Sequence, residues 1–161
     1  MKVRCLLLLL VFLSLCTLSF GQELLKIQNI TLFYPSYYIK VELYNQYQTV
    51  VLLDSRNQNR SLYVELLRTD IKAYIKQNLL DLYNLYEGKY KVISNEVRSY
   101  RGRNLYVLEY TFVQLNEEYK TVKYFWEFES GSYLGLYCLS PSADFSQIYV
   151  DFVNLFESIK E

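Results

Sequence analysis

Between Tyr90 and Leu139 apolar and polar side chains alternate in four successive stretches, and nothing else in the chain restricts its fold as much. The stretches are 90–100, 104–115, 119–129 and 132–139. Period two marks a strand, because successive side chains of a strand point to opposite faces. Turn sequences separate the stretches: Arg101-Gly102-Arg103, Asn116-Glu117-Glu118 and Ser130-Gly131. Strands joined by such short turns run antiparallel, so this half of the chain predicts a β-meander. In the third stretch Val122, Tyr124, Trp126 and Phe128 share one face. Thr121, Lys123, Glu127 and Glu129 share the other face with Phe125. One dry face and one mostly wet face are expected, as an antiparallel sheet allows.

The first half adds further strands. Residues 30–34, 38–44 and 47–54 and the segment Leu62 to Leu66 carry strand patterns, and Asp54 to Arg60 is polar throughout and predicts a loop. Within 38–44, Ile39, Val41 and Leu43 point one way and Lys40 and Glu42 the other. The period then changes. Ile71, Ile75, Leu79, Leu82 and Tyr86 recur every three or four residues, which predicts a helix over 70–86. Thr69 or Asp70 can cap its start and Gly88 can end it. Ser140-Pro141 predicts the opening of a second helix, whose stripe is Phe145, Ile148, Phe152, Phe156 and Ile159. That stripe should dock on the Val122–Phe128 row. The fold class expected is α+β: an antiparallel sheet of about six to eight strands with a long central helix and a C-terminal helix packed on it.

The N-terminus carries an address. Lys2 and Arg4 precede a nearly uninterrupted apolar run from Cys5 to Phe20. Ser19 and Gly21 are small residues placed for a cut before Gln22. This is the layout of a secretory signal peptide over residues 1–21, followed by a single domain over 22–161 and an extracytoplasmic location. Two alternatives remain at this level. The uncharged stretch Cys5–Gln22 is long enough for an uncleaved membrane anchor, and Leu13-Ser14-Leu15-Cys16 is a weak lipobox. Cleavage removes Cys5 and Cys16 and leaves Cys138 alone, so no disulfide can form within the mature chain.

The 161-residue chain contains no histidine, which removes the commonest general base and the commonest metal ligand. Its 17 basic and 17 acidic residues balance, so no basic field points to nucleic acid. No Gly-x-Ser-x-Gly elbow and no Asp-x-Asp-x-Asp-Gly loop occurs. Neither a cofactor nor a metal is expected. Cys138 has no basic neighbour in sequence to activate it and reads as a small core residue. Glu117-Glu118, Glu127/Glu129 and Asp54 could serve as acid and base, but each reads more simply as solvated surface charge. The 18 tyrosines are the most unusual feature of the composition. Tyr34, Tyr37 and Tyr38 cluster near a turn and form a candidate aromatic binding patch, and Tyr44, Tyr47, Tyr83, Tyr86 and Tyr90 follow. Strand propensity and compositional bias compete with that reading. Asn29-Ile30-Thr31 and Asn59-Arg60-Ser61 are glycosylation sequons, and Asn59, in the polar loop, is the better placed.

Four local features resemble the PsbP/Mog1-like fold. They are Phe33-Tyr34-Pro35-Ser36, the Gly102 turn leading into Leu105-Tyr106-Val107-Leu108-Glu109-Tyr110, the strand Tyr133 to Cys138 ending in Leu139-Ser140, and the ending Phe152 to Ile159. Together with the order of elements they span about residues 30 to 160. Proteins of that fold include photosystem II extrinsic proteins, bacterial envelope proteins and a nuclear-transport factor, mostly binding or accessory proteins. The resemblance therefore implies a secreted, non-enzymatic binding or accessory domain whose partner is a protein or a small ligand. Photosystem binding does not carry over, since this chain lacks histidine, has little glycine and shows no bipartite transit peptide. The alternatives are a histidine-free hydrolase using Asp/Glu or Cys138 in a cleft, and an envelope-anchored structural protein.

Overall fold

A computed structural model describes residues 21–43 and 48–161. The expected signal peptide, Cys5, Cys16, Tyr44 and Tyr47 therefore fall outside the described residues, apart from Gly21. The elements in chain order are β1 (Gln22–Ile27), β2 (Ile30–Pro35), β3 (Tyr38–Leu43), β4 (Thr49–Asp54), β5 (Ser61–Arg68) and helix α1 (Ile71–Tyr86). The meander β6 (Tyr90–Tyr100), β7 (Arg103–Gln114), β8 (Glu117–Glu129) and β9 (Ser132–Pro141) follows, then a 3-10 turn (Ser142–Asp144) and helix α2 (Phe145–Glu157).

Seven strands form one antiparallel sheet in the order β3-β4-β5-β9-β8-β7-β6. β9 lies at its centre because it returns from the meander to pair with β5, Leu62 opposite Cys138. β1 and β2 form a separate hairpin, tied to the C-terminus by mutual backbone hydrogen bonds of 2.9 Å between Thr31 and Lys160. The sequence pattern did not predict β1.

One face of the sheet carries Val122, Tyr124, Trp126 and Phe128, and it packs with Phe145, Ile148, Phe152 and Phe156 of α2 and with Leu25, Leu32 and Tyr34 of the hairpin in a single core. Burying this stripe is what holds α2, since among the described residues there is no disulfide to help. The opposite face is the main correction. It is not mostly wet: Phe125 is fully buried there, together with Leu67, Leu108, Tyr133 and Ile71, Ile75 and Leu82 of α1. The sheet is thus sandwiched, with α1 on one side and α2 plus the hairpin on the other.

Local chemistry accounts for the boundaries. Asp70 caps α1, its Oδ1 accepting from the amides of Lys72 at 3.0 Å and Ala73 at 3.2 Å. Glu87 and Gly88, both at positive φ, end it. Arg101-Gly102 forms a tight turn with φ of 49° and 74°, where glycine removes the Cβ penalty. The next turn is made by Leu115-Asn116, at φ 51° and 65°, one residue earlier than the polar run suggested. Ser140-Pro141 does not open α2, because β9 continues through Pro141 and the helix begins at Phe145. The Ser140 hydroxyl is buried and donates to the Pro141 carbonyl rather than capping the helix. Ile159 lies beyond the end of α2 yet is still buried in its core.

Candidate functional site

The aromatic cluster near the first turn does not form an open patch. Tyr34 and Tyr38 are only 2% and 3% exposed, and both rings join the α2-side core. Their hydroxyls, with that of Tyr37, reach carboxylates. Tyr34 donates to Glu23 at 2.8 Å, while Tyr37 and Tyr38 both donate to Oδ2 of Asp151 in α2, at 2.6 and 3.0 Å. Burial first, then these acceptors, pushes the Tyr34 hydroxyl up to about 12 and raises those of Tyr37 and Tyr38 further.

The loop after β4 completes this network. Arg56 holds Asp54 by a two-pronged ion pair at 2.9 Å and lies 3.5 Å above the Tyr37 ring. Arg60 and Asn57 both reach Asp144, just before α2, at 3.1 and 2.9 Å. Burial alone would raise the Asp54 carboxyl, but the Arg56 hydrogen bonds outweigh it and hold the carboxyl below its ordinary range. The network therefore ties the 55–60 loop to α2. Nothing local in the sequence signals it, because its members are up to 114 residues apart.

The expected acidic pairs are dispersed. Glu117 accepts from Tyr119, Glu118 from Ser142 and Glu127 from Asn104, and Glu129 is exposed. Cys138 is fully buried in the α2-side core, and burial pushes its thiol up to about 12. Asn29 and Asn59 are both exposed, in the β1–β2 turn and the β4–β5 loop. Among the described residues no group of three or more Cys, Asp or Glu could hold a metal ion. Among the same residues no helix is long and apolar enough to cross a membrane.

The α1-side face presents a more specific arrangement. Where α1 stops covering the sheet, a pocket of about 300 Å³ opens, walled by the rings of Tyr63, Tyr86, Tyr110 and Tyr137 with Phe112 and Lys123. Tyr86 ends α1, and four strands supply the others because their alternating positions fall on this face, Tyr63 opposite Tyr137 and Tyr137 opposite Lys123. The Lys123 ammonium donates to Asn78 of α1 at 2.7 Å and lies 4.9 Å from the Tyr137 ring centroid. Burial lowers it to about 8, against the raising charges of Glu65 and Asp81. Glu65, only 5% exposed, accepts from Tyr74 at 3.0 Å, and burial raises its carboxyl.

The Tyr137 hydroxyl is buried and has no hydrogen-bond partner. It lies over Gly135, where an added Cβ would come within 2.8 Å of it and 3.0 Å of the Glu65 side chain. Gly135 is thus required for this close approach. Period-two reading placed Lys123 on a wet face and missed this group. The signal available was Phe125 and Tyr137 sharing a face with a lysine.

The comparisons bear on the fold. No protein-family model matches the sequence, and no curated protein matches it. Solved structures do. Cyanobacterial PsbP from Synechocystis sp. PCC 6803 superposes with a TM-score of 0.65 at 14% identity, covering 88% of this chain and 92% of that one. The chain has the PsbP/Mog1-like fold. The Ran-binding protein Mog1p of Saccharomyces cerevisiae matches at TM-score 0.61 and 14% identity, over 88% of this chain and 96% of that one. LpqN of Mycobacterium tuberculosis, involved in cell envelope biogenesis, matches at 0.61 and 10%, over 87% and 90%. At these identities the likeness concerns architecture alone.

Proposed function

We propose that this PsbP/Mog1-like chain is a secreted, non-enzymatic binding or accessory domain, and that its binding site is the tyrosine-walled pocket on the α1 side of the sheet. The observation that carries this reading is the Lys123 ammonium, 4.9 Å from the Tyr137 ring centroid, set into a wall of four tyrosine rings and Phe112. Flat tyrosine faces suit a planar apolar body, and an ammonium suits a carboxylate or carbonyl acceptor. The volume fits a small molecule. The non-enzymatic role is supported by the carboxylates of Glu23, Asp54, Glu127 and Asp151, which tyrosine, arginine or amide partners hold, and by the Cys138 thiol, enclosed in apolar core. Secretion is supported by the apolar N-terminal run and its Ser19/Gly21 ending.

Two experiments test this. Benzoate, phenylacetate and indole-3-acetate, titrated into the protein and followed by amide chemical shifts, should perturb residues of β7, β8 and β9 around the pocket, and Lys123→Met should abolish the response. No perturbation at millimolar concentrations would sink the ligand assignment. Intact mass of the protein recovered from a secreting host should begin at Gln22, whereas a retained N-terminus in the membrane fraction would favour the anchor.

A further inference from the structure

β3 is an edge strand, and among the described residues nothing pairs with its outer side. Its apolar side chains are oddly placed: Ile39, Val41 and Leu43 are 57%, 37% and 44% exposed. Lys40 and Glu42, on the other face, form an exposed ion pair at 2.9 Å. The Ser55 amide donates to the Tyr37 carbonyl, which makes Tyr37 and Ser55 a hydrogen-bonded pair. Alternation along the ladder then turns the backbone groups of Ile39, Val41 and Leu43 toward β4, and those of Lys40 and Glu42 outward.

The segment Ile39-Lys40-Val41-Glu42-Leu43 is self-complementary when paired antiparallel about Val41. Ile39 then faces Leu43 of a second copy, Val41 faces Val41, and Lys40 faces Glu42. The Lys40–Glu42 pairs fall at hydrogen-bonded positions, because those are the residues with outward backbone groups. A dyad at Lys40 or at Glu42 would set like charges directly opposite, and a dyad at Ile39 would leave both charges without an opposite partner. We propose that β3 pairs with β3 of a second copy of this chain about a twofold axis at Val41, joining two sheets into one. A lysine on an edge strand ordinarily blocks such pairing. Here Glu42, two residues on, meets it across the dyad. A twofold contact is isologous, so the surface needs no other partner.

Charge reversal tests this register. Chain expressed from its full sequence should sediment as a dimer at high micromolar concentration. Lys40→Glu and Glu42→Lys should each weaken self-association roughly tenfold or more, since two opposed pairs change from attractive to repulsive. Mixing the two single variants should restore a dimer, and the double variant K40E/E42K should dimerise alone. Both side chains are exposed, so at concentrations where the wild type is monomeric the melting temperatures of the variants should match it, and a lower value there would report a failure to fold. A V41C variant should oxidise to a disulfide-linked dimer, because a non-hydrogen-bonded pair brings Cα atoms to about 4.5 Å. An I39C variant should not. A monomeric wild type, or a dimer indifferent to both reversals, overturns the proposal.

Discussion

The Tyr38 hydroxyl donates to Oδ2 of Asp151 at 3.0 Å across 113 residues of sequence, joining β3 to α2 inside the larger core. Tyr37 shares the same oxygen at 2.6 Å. Asp151→Ala should leave the Tyr38 hydroxyl buried without an acceptor, at a cost of about 1–3 kcal/mol. Tyr38→Phe in the Asp151→Ala background should cost less than in the wild type. A double-mutant cycle by urea unfolding checks this, and strict additivity would contradict the coupling.

Phe152 is fully buried and meets the Tyr124 ring edge-on at 4.8 Å. Phe152→Ala should destabilise by roughly 3–5 kcal/mol, a large part of what a domain of this size has. Asn154, two residues on and exposed, should tolerate alanine with little change. Calorimetric melting of the two variants side by side gives the comparison.

Cys138 should not react with Ellman's reagent in the native protein at pH 8, because its thiol lies in the core and is held at about 12. Labelling should follow the rate of unfolding instead. Cys138→Ser should cost about 1–3 kcal/mol by burying a hydroxyl and should leave the α1-side pocket intact.

Alkali should act in two opposed steps. Below about pH 8 Lys123 is charged in folded and unfolded chains alike, and its burial counts fully against folding. Between about 8 and the ordinary 10.5 only the unfolded chain keeps this charge, which raises stability with pH, until from 9.0 the Cys138 thiol, held at about 12 in the folded chain, opposes the rise. Tyr34 works in the other direction. From 10.0, its ordinary value, to about 12 the unfolded chain loses this proton and the folded chain keeps it, so stability should fall. Tyr37 and Tyr38, raised by burial and by Asp151, extend that loss. A melting-temperature profile should therefore peak in mild alkali, and Lys123→Met should remove the rising limb.

Much of the fold was legible in sequence because strand and helix periods are local quantities. Leu62, Val64 and Leu66 mark β5, Ile71 to Tyr86 mark α1, and the four stretches after Tyr90 mark the meander, each within a window that its own backbone geometry imposes. The tyrosine-walled pocket was not legible. Lys123 and Glu65 look like ordinary wet-face charges until α1 is laid over them, and Tyr37 and Tyr38 look like a surface cluster until Asp151 arrives from α2.

Side-chain period and turn chemistry therefore determined the elements after β1, their antiparallel order within the meander and the stripe that α2 buries, since each follows from residues a few positions apart. Which face each helix covers, whether an alternating strand presents its apolar or its charged side to solvent, and which polar atom ends without a partner were decided only by packing. Phe125 shows the difference most simply. Its neighbours in sequence predict a mostly wet face, yet it is fully buried because Tyr74 of α1 closes over it edge-on at 5.8 Å. Burial depends on what folds back from elsewhere in the chain, and a local period carries no information about that.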